Sequence, residues 1–195
     1  MSRPPPVAVS VLASGRRSWR TSATGSQPPD VLSPGLLAKA VVAYSIHEHQ
    51  LGHVRRIEVR LEPDRLVVQD DGRGMGLDRE GYVAGLLGTL VGGGGEVQLH
   101  GIGLSLVAAA APRLEVESCR DGTWWKQSFE RGVPAGPPSR IEGCPQPGTR
   151  ITLAQLPPLS AADAYGLRAQ VDHWRRTHPA LTIVVHDHAG PKHGA

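Results

Sequence analysis

The chain has 195 residues, a formal net charge of +3 and a sequence pI of about 9.2. This length suggests one domain that can bury a core. Hydrophobic residues make up 39% of the chain, and no apolar run reaches the ~18 residues of a membrane span, so no membrane association is expected. The mild basic charge forms no patch or stripe, and direct DNA binding is therefore not expected either.

The two cysteines and the histidines do not suggest a metal site. Cys119 and Cys144 lie in no CxxC pattern, and His47 and His49 fall on different faces of a helix. We therefore expect no bound metal and two reduced thiols in a cytoplasmic protein. Arginine greatly outnumbers lysine, which indicates a high-GC bacterial genome rather than a function.

Residues 1–33 differ in composition from the rest of the chain. They contain a run of three prolines and several serines and arginines, with no acidic residue before Asp30. We predict an arm that is poorly structured or forms one edge strand at 7–12. The arm also has the composition of an organelle transit peptide, and this alternative stays open. A single domain at 34–190 and a tail at 191–195 follow.

The first predicted element after the arm is a helix over 36–51, which Ser33 can cap, Pro34 can start and Gly52 can end. Alternation and turn signals then predict the later elements. Asp121-Gly122 is expected to be a hairpin turn, and the proline-rich stretch 134–147 a loop. Strands are predicted at 57–61, 66–68, 114–120, 123–130, 150–153 and 181–185, and helices at 81–90, 161–177 and from Gly103 to Ala111. This order predicts an α+β two-layer sandwich.

Four motifs occur in a fixed order along the chain. They are a helix with Glu48, then Asp70-Asp71-Gly72-Arg73-Gly74, then Leu99-His100-Gly101-Ile102-Gly103, then Gly148-Thr149. In this order they resemble the N-terminal ATPase domain of the gyrase B subunit and of topoisomerase IV, over roughly residues 36–190. The resemblance implies the Bergerat-type ATP-binding fold, in which helices cover one side of a mixed, mostly antiparallel sheet.

The resemblance also implies where a ligand would bind. Asp70 would accept a hydrogen bond from the amine of adenine with Thr149 beside it, since a buried polar group selects ligands that can pair with it. Gly74 would let the base approach the backbone closely. The start of the helix after Gly101 and Gly103 would suit phosphate. The other ligand-binding residues that it implies are Tyr44, Glu48, Arg73, Met75 and Arg120. Among these, Glu48, Arg73 and Arg120 form the rim where aminocoumarin antibiotics bind in the family.

The chain departs from the family pattern at the positions that hydrolyse ATP. Ala40 stands where the family has the catalytic glutamate, Tyr44 where it has the magnesium-binding asparagine, and His47 where it has an acid. Gln98 replaces the first glycine of the phosphate loop, and the lid before it is short. Charge neutralisation and water positioning drive phosphoryl transfer, so ordinary hydrolysis and magnesium binding are not expected, although ATP or ADP remains a candidate ligand. We also expect no further domain after residue 195 and therefore no topoisomerase activity.

Three hypotheses of different class follow, and whether the protein is an enzyme stays open. It could be a nucleotide-binding module without turnover that regulates a protein partner. It could be a fold recruited in secondary metabolism as a cofactor-independent isomerase, cyclase or lyase, with Tyr44, His47 and His100 as acid and base groups acting on a small metabolite. It could be a decoy or resistance protein that binds an aminocoumarin.

Overall fold

The computed structural model describes residues 8–11, 17–20, 33–77, 104–143 and 146–187. Its helices are α1 Pro34–Gln50, α2 Leu104–Ala110 and α3 Ala161–Thr177. Its strands are β1 Ala8–Val11, β2 Arg17–Arg20, β3 Arg56–Leu61, β4 Arg65–Asp70, β5 Arg113–Arg120, β6 Thr123–Glu130, β7 Val133–Pro134, β8 Ser139–Ile141, β9 Gly148–Ala154 and β10 Thr182–Asp187. The helix predicted at 81–90 lies outside the described residues.

Within the described residues, eight strands form one mixed sheet. Their order is β10-β3-β4-β9-β5-β6-β7, and β8 also pairs with β6. Strand β10 runs parallel to β3, whereas the other neighbours in this sheet are antiparallel. This topology confirms the predicted α+β sandwich with a mixed, mostly antiparallel sheet.

The two faces of the sheet differ in burial. Along β3 and β4, buried residues alternate with partly or fully exposed ones; the buried set is apolar except for Asp70, and the exposed set is polar except for Val67. The same alternation in β5 and β9 directs one face of the sheet inward. Helix α1 covers this face, and it contacts β3 and β4 as well as both other helices. Because α1 packs against the sheet and against both other described helices, many of its residues are buried. Residues on its sheet-facing side lie next to the end of β4.

The start of α1 confirms the predicted cap. Ser33 Oγ accepts a hydrogen bond from the Leu36 N–H at 3.3 Å. Pro34 occupies the first turn, where a backbone N–H would have no acceptor within the helix, so the lack of an N–H in proline costs no hydrogen bond. The helix ends at Gln50, one residue before the predicted limit. Helix α3 spans the range predicted for it.

Two regions of secondary structure differ from the prediction. Strand β8 lies inside the stretch predicted as a loop, where it pairs with the free edge of β6 through Ile141 and Trp124. Strands β1 and β2 pair with each other in a separate two-stranded sheet, where one edge strand was expected. All three short strands depend on a partner strand rather than on their own alternation, so the sequence pattern did not predict them as they are. The domain limits at 34 and 190 stay a prediction.

The expectation of reduced thiols is wrong for Cys119, which is disulfide-bonded. Cys119 lies near the end of β5, where it pairs with Gly148 of β9. Spacing along the sequence could not show which segments meet at this point of the sheet. Cys144, the other cysteine of the chain, lies outside the described residues.

None of the described helices is both long enough and apolar enough to cross a membrane.

Candidate functional site

Asp70 is the last residue of β4 and lies on the inward face of the sheet, with 6% of its surface exposed. Its Oδ1 accepts hydrogen bonds from the N–H groups of Gly72 and Thr149, both at 3.1 Å. Its Oδ2 accepts a hydrogen bond from Ser45 Oγ at 2.7 Å. The neighbouring strand and helix therefore hold this carboxylate from three directions.

The electrostatics of Asp70 combine two opposing effects. Burial raises the pKa of Asp70, while the hydrogen bonds from Ser45, Gly72 and Thr149 lower it and the nearby charge of Asp71 adds to the rise. An ionised carboxylate has about four acceptor positions, of which the three donors use three. One position on Oδ2 remains for a hydrogen bond from a ligand.

The sequence pattern did not predict Ser45 as a site residue, although it predicted Tyr44 and His47 on the same helix. It is 2% exposed and faces β4 from the middle of α1. The available signal was a serine between the buried apolar residues Val42 and Ile46, because a buried hydroxyl needs a partner. The sequence could not name that partner, which is 25 residues away.

The loop after Asp70 is held close to β5. A Cβ at Gly74 would overlap the carbonyl oxygen of Cys119, and the backbone at Gly74 has a φ of 74°. Ser118 accepts a hydrogen bond from the Met75 N–H at 2.6 Å and donates one to the Met75 carbonyl at 2.8 Å. Ser118, also missed from sequence, thus fixes the position of the loop beside Asp70.

Of the three predicted rim residues Glu48, Arg73 and Arg120, the first two contact each other directly. Arg73 donates two hydrogen bonds to the Glu48 carboxylate, at 3.0 and 3.2 Å. Arg120 instead contacts the Gly74 carbonyl, with Nη1 at 3.4 Å, and forms an ion pair with Asp121 at 3.4 Å. Glu48 and Arg73 therefore act as a pair, and Arg120 joins the same rim through the loop backbone.

Tyr44 is on α1, and the charges of the rim and of Asp70 both act on it. The side chain is half-buried and packs against the hydrophobic core. Burial raises the pKa of Tyr44 well above its ordinary value, and the negative charges of Glu48 and Asp70 raise it further against the opposing effect of Arg73 and Arg120. The phenol therefore stays protonated and keeps its O–H as a hydrogen-bond donor.

A cleft of about 350 Å³ borders Asp70 and Thr149 from the side of the sheet opposite to α1. The outward side chains of Arg56, Gln69 and Arg150 help to line it. Neither Tyr44 nor His47 lines this cleft. His47 is exposed on α1.

Comparison with known proteins supports the resemblance drawn from the motifs. No protein-family model matches the chain. The DNA topoisomerase 4 B subunit of Caulobacter vibrioides is 35% identical over 126 residues, and the DNA gyrase B subunit of Streptomyces coelicolor is 36% identical over 131 residues. These alignments cover 57% and 60% of this chain but 18% and 19% of those proteins. The chain thus spans about a fifth of the length of these relatives.

A solved structure agrees with the sequence comparison. The topoisomerase IV ATP-binding domain of Francisella tularensis, in complex with a small-molecule inhibitor, has a TM-score of 0.67 to this chain at 27% identity. The match covers 81% of this chain and 83% of that domain. The chain resembles the ATP-binding domain of the gyrase and topoisomerase IV B subunits.

In this gyrase-B-like domain, three of the positions expected to depart from the family pattern, Ala40, Tyr44 and His47, lie on α1. Ala40 is 7% exposed and belongs to the core, so an apolar methyl group stands where the resemblance implies a catalytic carboxylate. Tyr44 follows one turn later. His100, Gly101, Gly103 and Gln98 lie outside the described residues, and their predicted roles stay predictions.

The described residues of the gyrase-B-like domain include no group of three or more histidine, cysteine or acidic side chains that could hold a metal ion. His49 has other contacts: its Nδ1 lies 2.6 Å from the Val54 carbonyl oxygen, and its ring meets that of His178 edge to face, with centroids 5.5 Å apart. These contacts join the C-terminal ends of α1 and α3.

Proposed function

We propose that this gyrase-B-like domain is a nucleotide-binding or regulatory module that binds ATP or ADP at Asp70 and hydrolyses it little or not at all. The observation that carries the proposal is the buried Asp70 carboxylate, with three donors in place and one acceptor position left. The exocyclic amine of adenine is a donor of matching chemistry. A carboxylate in such a setting favours ligands that supply this donor over ligands that do not.

The proposed lack of turnover rests on Ala40 and Tyr44. Magnesium is bound by carboxylate and other oxygen ligands and by water, but Ala40 has no polar atom and the phenol of Tyr44 stays neutral. These two residues do not fit a magnesium ion, and we derive no step through one. Without turnover, the bound state itself would carry the function, and we propose that it controls a protein partner.

Calorimetry with ADP and with a non-hydrolysable ATP analogue tests the proposal. Both should bind, and Asp70→Ala should weaken binding by about 1–3 kcal/mol because the ligand amine loses a buried partner. Asp64→Ala is the matched control, since Asp64 lies in the β3–β4 turn with 65% of its side chain exposed. If neither nucleotide binds at millimolar concentration, or if Asp70→Ala binds as well as the wild type, the proposal is wrong.

An aminocoumarin-binding decoy is a second candidate function, favoured by the Arg73–Glu48 pair with Arg120 on the same rim. Arg73→Ala should then weaken aminocoumarin binding more than ADP binding, because the rim lies outside the Asp70 pocket. Arg65→Ala, in an exposed ion pair of β4, serves as control. Equal loss for both ligands, or no aminocoumarin binding at all, would remove this candidate.

The hypothesis of a cofactor-independent enzyme that uses acid and base side chains has less support than either binding function. It requires Tyr44 and a histidine beside one ligand, but His47 is exposed on α1. If the enzyme hypothesis holds, Tyr44→Phe and His47→Ala each abolish turnover of the natural substrate with little change in melting temperature. Unchanged turnover in His47→Ala would exclude His47 from the chemistry.

A further inference from the structure

The pair formed by Ser45 and Asp70 connects the central helix to the sheet at the candidate ligand site. Ser45 Oγ lies 2.7 Å from Asp70 Oδ2, and the two residues are 2% and 6% exposed. A buried hydroxyl that donates to a carboxylate is held in a fixed direction, because rotation would leave the hydroxyl and the accepting oxygen without this hydrogen bond.

The two oxygens of Asp70 have different surroundings. Oδ1 is bonded to the N–H groups of Gly72 and Thr149, which fix the plane of the carboxylate. Oδ2 is bonded to Ser45, which occupies one of its two acceptor positions. Ser45 therefore decides which of the two Oδ2 positions stays open. The two backbone donors do not depend on side-chain identity.

We propose that Ser45 is a positioning residue that makes the Asp70 site select a ligand with an N–H donor, such as an aminopurine, over a ligand with a carbonyl oxygen at the same place. This inference rests on the proposed function, in which the ligand binds at Asp70. An ionised carboxylate accepts the N–H of an amine and repels a carbonyl oxygen, whereas a protonated carboxyl can donate to that oxygen. Because Ser45 donates to Oδ2, it favours the ionised form.

The pH dependence of binding follows with a definite sign. The hydrogen bond from Ser45 lowers the pKa of Asp70 against the larger effect of burial, so its removal lets Asp70 protonate at higher pH. The other groups that face this site are Asp71 in the following loop and Tyr44 on α1, with Glu48 and Arg73 beyond Tyr44. They are the same in wild type and variant, so a shift between the two reports on Ser45.

The test measures binding of adenosine, which has an amine at the purine 6-position, and of inosine, which has a carbonyl oxygen there. The wild type should prefer adenosine by about tenfold or more, in line with a buried polar group left unpaired. Ser45→Ala should weaken adenosine binding by about fivefold, because Oδ2 of Asp70 is held less firmly and the ionised carboxylate is favoured less. It should also reduce the adenosine preference and move the pH midpoint of adenosine binding upward.

Two further variants separate positioning from simple structural support. Ser45→Cys keeps the volume but donates only weakly, and it should behave like Ser45→Ala. Ser128→Ala is the matched control, because Ser128 also contacts a carboxylate, Glu115 Oε1 at 3.5 Å, on the outward face of β6. It should keep the wild-type preference and pH midpoint.

The outcomes distinguish this inference from the proposed function. If the wild type binds adenosine but both Ser45 variants keep its preference and its pH midpoint, the role of Ser45 is overturned and the proposed function stands. If the wild type binds neither the nucleosides nor ADP, the proposed function itself fails, and the role of Ser45 fails with it.

Discussion

Ser33 Oγ donates a hydrogen bond of 2.7 Å to Asp163 Oδ1, so a carboxylate in the first turn of α3 supports the start of α1. Asp163 also accepts a hydrogen bond from the side chain of Ser160, the N-cap of its own helix, at 2.8 Å. One side chain thereby joins the N-termini of the two long helices. Since α1 carries Tyr44, Ser45 and Glu48, this junction holds the helix that bears the candidate ligand site.

We expect Asp163→Ala to destabilise the protein by about 1 kcal/mol, the usual effect of losing a polar group at a helix start. Urea denaturation at neutral pH measures the difference. Asp172→Ala is the control, because Asp172 lies on the same helix in an exposed i,i+3 ion pair with Arg175, and such pairs contribute little. Equal effects of the two substitutions would contradict the role assigned to Asp163.

The contribution of Asp163 should depend on pH. The hydrogen bond from Ser33, with those from Ser160 and Gly35, lowers the folded-state pKa of Asp163 below its ordinary value of 3.8, against the effect of burial. A lowered folded pKa stabilises the fold above the unfolded pKa, and this stabilisation is lost as pH falls through the folded pKa. The stability gap between wild type and Asp163→Ala should therefore narrow below about pH 4. If the difference in unfolding free energy between wild type and Asp163→Ala grows as the pH falls, the predicted direction of the pH dependence is wrong.

Gly74→Ala should destabilise the fold by about 1–3 kcal/mol, because the residue has a φ of 74° and a Cβ would overlap the Cys119 carbonyl oxygen. It should also weaken nucleotide binding, since the loop that carries it must move. Gly76→Ala is the matched control two residues away, where the nearest neighbour of a Cβ is Arg120 Nη1 at 3.8 Å. Thermal melts compare the melting temperatures of the two variants. If Gly74→Ala melts at the same temperature as Gly76→Ala, the close approach of Gly74 to the Cys119 carbonyl is contradicted.

Steady-state ATP hydrolysis should be undetectable in the wild type, because Ala40 and Tyr44 provide neither a base nor a magnesium ligand. Restoring both residues, as Ala40→Glu with Tyr44→Asn, should be required before any activity returns. Phosphate-release assays with magnesium compare the double variant with each single variant. Magnesium-dependent release by the wild type that disappears in Asp70→Asn would refute the proposed lack of turnover.

Much of the fold was predictable because its signals are local. The cap at Ser33, the limits of α3 and the alternation in β3 to β6 depend on neighbours within a few residues. Strand β8 and the β1–β2 pair were not predictable in this way, because each forms against a partner strand rather than from its own pattern. Within the candidate site, the order of the motifs predicted Asp70, Glu48 and Arg73. It did not predict Ser45 or Ser118.

The sequence by itself predicted a strand before Asp70 and a glycine-containing loop after it, and it led us to expect that Ala40 and Tyr44 replace polar family residues on one helix. These are statements about residue identity and short-range spacing. Only the tertiary structure decided that Ser45 donates to Asp70, that Ser118 holds Met75, that Asp163 supports Ser33 and that Cys119 forms a disulfide. Each of these hydrogen bonds joins segments far apart in the chain, so its formation depends on how the helices and strands pack together rather than on local propensity.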